Sequence, residues 1–148
     1  MEERYKLKVL LDLFLERRNE ETKEKEILIL YRQNTGHFDD MYDLPGGHLE
    51  KDEDIFDGMI REAKEEIGIT IKREDMEIIH IYHRNKKGAL KFVFKVSKYE
   101  GTIKNAEPDI CKELKWVNIN DLPENIVPSI KSELKNIKNN IYYSREEI

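Results

Sequence analysis

The sequence is poor in cysteine, glycine and proline and lacks a long apolar run. Cys111 is the only cysteine of 148 residues, which excludes an intrachain disulfide and a cysteine-based zinc cage and favours a reducing cytoplasm. The first apolar segment, residues 9–15, is interrupted by Asp12, and no run approaches the ~18–20 residues that cross a bilayer. We therefore expect a cytoplasmic protein without a membrane partner.

An excess of positive charge is missing as well. Twenty-six Lys and Arg residues stand against 31 Asp and Glu residues, a net charge of −5, which argues against a general electrostatic grip on duplex nucleic acid. With 39% apolar residues, seven glycines and four prolines, the composition is atypical of a disordered chain. The length predicts a single domain, residues 1–148, folded around one core.

The pattern of apolar residues predicts five strands. Alternating apolar residues in 6–16 are typical of a strand with one buried face, whereas the continuous apolar run 27–31 indicates a strand covered on both faces. Shorter strands are predicted near residues 77–83, 90–96 and 114–117, separated by turn residues. These strands alternate with helical segments, so the fold class is α/β.

Two helices are predicted between and after these strands. Asp52 or Asp54 can cap a helix whose end is marked by Gly68, a residue suited to a left-handed conformation. The apolar positions of this helix are Phe56, Met59, Ile60, Ala63 and Ile67. A terminal amphipathic helix, which accepts Pro128 only in its first turn, is predicted from Ile126, Ile130, Leu134, Ile137 and Ile141.

The first predicted helix carries acidic residues on one side. At about 100° of rotation per residue, Glu62, Glu65 and Glu66 share a narrow arc, and their mutual repulsion can be offset by a hard divalent cation such as Mg²⁺ or Mn²⁺. Such a face can also be merely solvated. The preceding Gly46 and Gly47 favour the cation, because a flexible backbone with free carbonyls leads into this helix.

The spacing of these residues forms a longer motif. Five residues separate Gly47 from Glu53, and seven more separate Glu53 from the run Arg61-Glu62-Ala63-Lys64-Glu65-Glu66-Ile67-Gly68-Ile69. The motif resembles the Nudix box, GX5EX7REUXEEXGU with U apolar, at every fixed position. The resemblance implies a Nudix α/β/α sandwich with a mixed central β-sheet. It also implies an enzyme that hydrolyses a nucleoside diphosphate linked to another moiety, with divalent cations assisting water attack on phosphorus.

The same resemblance implies a metal site on the helix. By similarity, Glu62, Glu65 and Glu66 are expected to bind Mg²⁺, for which Mn²⁺ can substitute, and the Gly46 carbonyl is expected to add an oxygen. A pyrophosphate brings negative charge to a site already rich in carboxylates, so bound cations would bridge the two and lower the pKa of a bound water.

Further roles follow from the resemblance. Glu53 and Arg61 are similar to a supporting pair that ties the loop to the helix, with importance for catalysis. Glu62 is the first candidate for the general base. The competing candidate is Glu107, in a segment that resembles the N-x-E-P stretch of some relatives, and we expect Glu107 to lie in the substrate-binding site. Glu107 could instead be an additional ligand or an ordinary turn carboxylate. Arg32 resembles an arginine that contacts a substrate phosphate, although a surface ion pair is the alternative.

The substrate is predicted by elimination among subgroups of the resembled family. Residues 82–85 lack the proline typical of ADP-ribose hydrolases, which leaves a nucleoside or deoxynucleoside triphosphate cleaved to monophosphate and pyrophosphate as the first expectation. Nucleotide sugars, dinucleoside polyphosphates and RNA 5′ ends are alternatives, as is a catalytically silent nucleotide sensor. The expected partner is thus a small nucleotide, and the quaternary state stays open between monomer and homodimer.

Overall fold

A computed structural model describes residues 3–146. Two helices and nine strands are observed within that range, together with a single 3₁₀ turn at Arg73–Asp75. In chain order the elements are β1 (Lys8–Phe14), β2 (Glu16–Arg18), β3 (Lys25–Arg32), β4 (Tyr42–Asp43), β5 (Gly46–His48), α1 (Ile55–Ile67), β6 (Met76–Arg84), β7 (Ala89–Val96), β8 (Cys111–Asn118), α2 (Pro128–Lys138) and β9 (Tyr143–Arg145).

The strands form two sheets. The larger one is mixed and runs in the order β5-β1-β7-β6-β9, in which β1 pairs with β7 and β6 with β9 in parallel. In the smaller sheet, β3 pairs antiparallel with β2, β4 and β8. The antiparallel pairing of β1 with β5 places Gly46 opposite Asp12, which brings the glycine segment against the larger sheet.

The core lies in two parts, one beneath each helix. Leu11 and Leu13 of β1 pack with Met59 and Ala63 of α1, whereas Phe14 belongs to the second cluster, which includes residues of α2. A helix therefore covers each side of the strands, and the predicted α/β/α sandwich with a mixed central sheet is confirmed. The expectations of one core and of a strand 6–16 with a single buried face were wrong, because neighbouring residues of β1 are buried on opposite sides.

The central helix begins and ends as its sequence predicts. Asp54 caps α1 by accepting a hydrogen bond from the backbone N–H of Asp57 at 2.9 Å. Gly68 follows the helix with φ of 74°, a left-handed conformation that is easiest without a Cβ atom. The buried positions Met59, Ala63 and Ile67 face the core, so the polar side of α1 is left for the glutamates.

The ends of the chain differ from the prediction. The terminal helix α2 covers only Pro128–Lys138, with proline in its first turn, so Ile126 and Ile141 lie outside it. Strands β2, β4, β5 and β9 were not predicted, because each has only two or three residues, too few for an alternating apolar pattern. None of the helices in the described range 3–146 is long and apolar enough to span a bilayer.

Candidate functional site

Arg61 organises the acidic side of α1. Its Nε and Nη2 donate to the two oxygens of Glu53 at 3.1 and 2.7 Å, and Nη2 also donates to the His48 carbonyl at 3.0 Å. Its Nη1 donates to Glu62 Oε1 at 2.9 Å and to Glu65 Oε2 at 3.2 Å. The fork geometry of the guanidinium thus joins the loop before α1 to two glutamates on the helix, a set of contacts that a lysine could not reproduce.

The predicted supporting pair is therefore present in the structure. The hydrogen bonds from Arg61 lower the pKa of Glu53 and keep this carboxylate ionised. Glu53 Oε1 also accepts a hydrogen bond from the Glu50 backbone N–H at 2.8 Å. The pair fixes the turn that enters α1, which in turn fixes where the helix presents its glutamates.

Strand β5 lies directly against the glutamates. A Cβ atom at Gly47 would lie 2.3 Å from the carboxyl carbon of Glu62, a distance that no side chain can occupy. A side chain here would displace the flexible Glu62 carboxylate, so glycine allows the close approach of backbone and carboxylate. Burial raises the pKa of Glu62, whereas the ion pair with Arg61 opposes that shift.

Glu66 is the most deeply buried glutamate of the site. Its oxygens accept only long hydrogen bonds, 3.3 and 3.4 Å, from the Gly46 backbone N–H, and 9% of the residue is exposed. Burial raises the pKa of Glu66 well above its ordinary value, and the nearby negative charges of Glu62 and Glu107 raise it further. This carboxylate is therefore placed where a positive charge would stabilise its ionised form.

Glu107 reaches the same region from a different part of the chain. The Asn105 side chain accepts from the Glu107 backbone N–H at 3.2 Å and donates to the Cys111 carbonyl at 2.7 Å. The loop is joined to the end of α1 by a hydrogen bond from Ala106 N–H to the Glu66 carbonyl at 3.1 Å. Burial and the charge of Glu65 raise the pKa of Glu107. A segment 40 residues beyond the helix is thus held beside its glutamates.

Arg32 lies at the mouth of the same cleft but is engaged by its own loop. Its guanidinium donates to Asp43 Oδ2 at 3.3 Å, to the His37 carbonyl at 2.9 Å and to Thr35 Oγ1 at 3.2 Å. About a quarter of the Arg32 side chain is exposed. These contacts order residues 33–43, and the predicted contact with a substrate phosphate stays a prediction.

A cleft of about 400 Å³ lies beside these residues. Glu66, Glu107 and Arg32 line it, and so do Asp12 and Lys91, for which no site role was predicted. Lys91 Nζ is buried between Asp12 Oδ2, at 3.1 Å, and Glu133 Oε2, at 3.0 Å. In the alternating patterns of β1 and β7, Asp12 and Lys91 fall at the positions opposite the apolar residues, so the sequence pattern contained no signal for this cluster.

Burial sets the protonation of this cluster, which we call the Lys91 cluster (Asp12, Lys91 and Glu133). Burial raises the pKa of Asp12 to about 7, although the charge of Lys91 opposes the shift. Burial alone would lower the pKa of Lys91, but the two carboxylates outweigh it and raise that pKa. Lys91 therefore stays charged, and the carboxylates of Asp12 and Glu133 balance its charge.

Comparison with known proteins agrees with this geometry. A family model described as the NUDIX domain matches residues 13–137, which includes both helices almost entirely and the whole motif from Gly47 to Ile69. The chain belongs to the Nudix family. The resemblance of its motif to the Nudix box is thereby confirmed.

Individual Nudix proteins resemble this chain over most of its length. It is 31% identical over 106 residues to human "Nucleoside diphosphate-linked moiety X motif 6", covering 68% of this chain and 33% of that protein. It is 30% identical over 106 residues to "ADP-ribose pyrophosphatase" of Methanocaldococcus jannaschii, covering 69% of this chain and 60% of that protein. The chain thus spans about a third and three fifths of these two relatives.

A solved structure shares the fold. The MutT NUDIX hydrolase of Burkholderia pseudomallei superposes with a TM-score of 0.74 at 22% sequence identity, over 88% of this chain and 97% of that one. At this identity the likeness concerns the Nudix fold. The roles of individual site residues are argued from the geometry of this chain.

Nudix hydrolases generally use a divalent cation, and the donor chemistry of this site fits one. The candidate ligands Glu62, Glu65, Glu66 and the Gly46 carbonyl supply only oxygen atoms, which suit Mg²⁺ or Mn²⁺ rather than zinc. Within residues 3–146, however, no three His, Cys, Asp or Glu side chains converge into a ready metal centre, because Arg61 holds two of the glutamates. The buried Glu66, which lacks a cationic partner there, is the observation that favours the fit.

Proposed function

We propose that the chain hydrolyses the pyrophosphate bond of nucleoside diphosphate-linked substrates with the help of Mg²⁺. The first candidate substrate is a nucleoside or deoxynucleoside triphosphate, cleaved to monophosphate and pyrophosphate. The single observation that supports this proposal most strongly is the burial of Glu66 beside Glu62 and Glu107, which makes the acidic end of the cleft a place for positive charge.

The residues of the chain have separate roles in this proposal. Glu62, Glu65 and Glu66 would hold the cation together with the Gly46 carbonyl, and Mn²⁺ could substitute for Mg²⁺. The bound cation would neutralise phosphate charge and lower the pKa of a bound water. Arg61 holds the glutamates of α1 beside strand β5 through its contacts with Glu53 and the His48 carbonyl.

Glu107 is the better candidate for the general base. Glu62 Oε1 is held by Arg61 at 2.9 Å, and Glu62 does not line the cleft, whereas Glu107 does. Burial raises the pKa of both carboxyl groups, so the position at the cleft decides between them. We expect Glu107→Gln to lower kcat and to flatten the acidic limb of the pH-rate profile, while Glu62→Gln raises the Mg²⁺ concentration needed for activity. An unchanged pH profile in Glu107→Gln would return the role to Glu62.

ADP-ribose is a second candidate substrate. It is favoured by the 30% identity with the Methanocaldococcus jannaschii protein named ADP-ribose pyrophosphatase, although residues 82–85 here lack the proline expected of that subgroup. Nucleotide sugars, dinucleoside polyphosphates and RNA 5′ ends complete the set. All of these carry a pyrophosphate bond, so the same acidic end would serve each one.

A silent nucleotide sensor is the alternative from a different functional class. Clustered carboxylates that repel one another contribute nothing to simple binding of an anionic nucleotide, which favours an enzyme. The test is to incubate the chain with a nucleotide panel and Mg²⁺ and to measure phosphate after inorganic pyrophosphatase or alkaline phosphatase treatment. Turnover that EDTA abolishes is expected, whereas binding without turnover of any panel member would favour the sensor.

A further inference from the structure

The two ends of the cleft carry opposite charge. One end is formed by Gly46, Glu66 and Glu107, where the cation and the pyrophosphate are proposed to bind. Besides Arg32 and Lys91, the lining of the same cleft includes three further basic residues, Lys8, Arg84 and Lys87. Lys8, Arg84 and Lys87 play no part in the proposed hydrolysis.

The strand register shows where the basic end lies. Lys8 of β1 and Arg84 of β6 are both paired with Ala89 of β7, so they flank the same position of the larger sheet. Gly46 is paired with Asp12 of β1, four residues further along the same strand. At a rise of about 3.3 Å per residue, the basic end and the glycine segment are separated by about 13 Å along β1.

Two of the three positive charges at this end have no ion-pair partner within residues 3–146, and the third, that of Arg84, is paired with Glu146. Lys8 and Lys87 are exposed, and neither forms an ion pair with any residue in the described part of the chain, 3–146. Arg84 lies 3.7 Å from Glu146 Oε1, and its buried Nε makes no hydrogen bond. By contrast, Lys91, in the middle of the cleft, is held by two carboxylates.

We propose that Lys8, Lys87 and Arg84 form a subsite, called here the basic subsite, for a second phosphate on the substrate. The inference rests on the proposed hydrolysis and narrows its substrate class to molecules that carry a phosphomonoester in addition to the pyrophosphate, such as one on the ribose of the nucleoside. Two lysines act as point charges for such a group, and the guanidinium adds directed donors. A phosphomonoester carries nearly two negative charges at neutral pH, which matches the surplus of cations at this end.

The test compares substrates that differ by a single phosphomonoester. Coenzyme A and 3′-dephospho-coenzyme A form one pair, and NADP⁺ and NAD⁺ form a second. We expect the phosphorylated member of at least one pair to have a kcat/KM about tenfold higher, the effect of one charge-assisted hydrogen bond. The double variant Lys8→Gln/Lys87→Gln should bring that ratio close to one, and raised salt should reduce it in the unmodified chain.

A matched control removes the same charge elsewhere. Lys98 and Lys115 are exposed and lie outside the lining of the cleft, so Lys98→Gln/Lys115→Gln should preserve the ratio. A ratio of one for both pairs in the unmodified chain would overturn the basic subsite, and so would a preference that survives in the Lys8→Gln/Lys87→Gln variant.

A binding measurement separates this inference from the proposed hydrolysis. Calorimetric titration of the same pairs without added metal should show tighter binding of a phosphorylated member, lost in the double variant. If no pair or panel member is hydrolysed, the proposed activity fails while titration still decides on the basic subsite. If triphosphates are hydrolysed but titration shows equal binding within both pairs, the basic subsite fails and the hydrolase stands.

Discussion

Two groups of buried carboxylates in this molecule differ in whether a cation of the chain accompanies them. In the Lys91 cluster, one ammonium group lies within 3.1 Å of carboxylate oxygens of both Asp12 and Glu133. At the acidic end of the cleft, Glu66 is similarly buried, yet among residues 3–146 no Lys, Arg or His side chain pairs with it. Its compensation is a long hydrogen bond from Gly46.

This difference separates the carboxylates that the chain itself neutralises from those that we propose to bind a cation from solution. A buried charge is costly unless a partner offsets it. The Lys91 cluster carries its own partner and is therefore structural, whereas Glu66 responds to its surroundings with a pKa well above the ordinary value. A divalent cation bound with a nucleotide would supply the missing charge. The buried carboxylate that lacks a cationic side-chain partner in the described range of the chain therefore lies at the proposed catalytic end.

The largest expected effect comes from neutralising Glu66. Glu66→Gln should lower turnover by about a hundredfold to a thousandfold, because it removes the charge that would hold the cation. The same change should leave unchanged or raise the melting temperature of the metal-free protein, because the amide ends the repulsion with Glu62. Steady-state kinetics and differential scanning calorimetry measure both effects.

An exposed glutamate provides the comparison for that variant. Glu74 lies in the 3₁₀ turn outside the cleft, and Glu74→Gln should change neither turnover nor the need for Mg²⁺. Full activity of Glu66→Gln would contradict the assignment of Glu66 as a ligand. A lower melting temperature of that variant would show that the carboxylate is structural, like those of the Lys91 cluster.

The next largest effect concerns the Lys91 cluster. Lys91→Met leaves Asp12 and Glu133 buried without a cation, and we expect it to lower the free energy of unfolding by about 3–5 kcal/mol. Urea denaturation measures this loss. The triple variant Lys91→Met/Asp12→Asn/Glu133→Gln should recover most of it, because no charge is then left unpaired.

A lysine on the same strand tests whether burial is the cause. Lys95 of β7 is 44% exposed and lies 3.7 Å from Glu16, so Lys95→Met should change the free energy of unfolding by less than about 1 kcal/mol. Equal losses in Lys91→Met and Lys95→Met would show that the buried cluster has no special weight.

The helix that carries the acidic end of the cleft could be predicted from sequence, because it depends on local patterns. The helix around Glu62 and Glu66 follows from its apolar spacing, its Asp54 cap and its Gly68 stop, and the motif spacing is fixed by contacts such as that between Arg61 and Glu53. All of these interactions join residues close together in the chain, and a linear pattern therefore contains them.

The Lys91 cluster could not be predicted in this way, because it depends on contacts between distant segments. Lys91 meets Glu133 across 42 residues, and its neighbour Asp12 was seen only as an interruption of an apolar run. Which inward-facing charges meet depends on the sheet order, which the alternation of apolar residues does not specify. The Nudix resemblance predicted the sandwich as a whole. Lys8 and Arg84, which we propose for the basic subsite, lie on different strands, and only the strand register places them side by side.

The smallest expected effect concerns a carboxylate paired with a cation at the surface. Arg73 Nη1 donates to Asp54 Oδ1 at 2.9 Å, and this hydrogen bond, together with the one from Asp57 N–H, lowers the pKa of Asp54 to about 2. Because that pKa is below the ordinary value of 3.8, the pair stabilises the fold above pH 4, and this contribution is lost as the pH falls towards 2. Asp54→Asn should therefore flatten the melting temperature against pH in this window.

Asparagine is the informative substitution because it separates two functions of the same side chain. It can still cap α1 by accepting the hydrogen bond from Asp57 N–H, so only the ion pair with Arg73 is lost. Asp52→Asn, at an exposed turn position, is the control and should keep the acid dependence of the unmodified chain. If Asp54→Asn also keeps it, the pair contributes nothing measurable, as many exposed pairs do, and only buried carboxylates matter to the comparison.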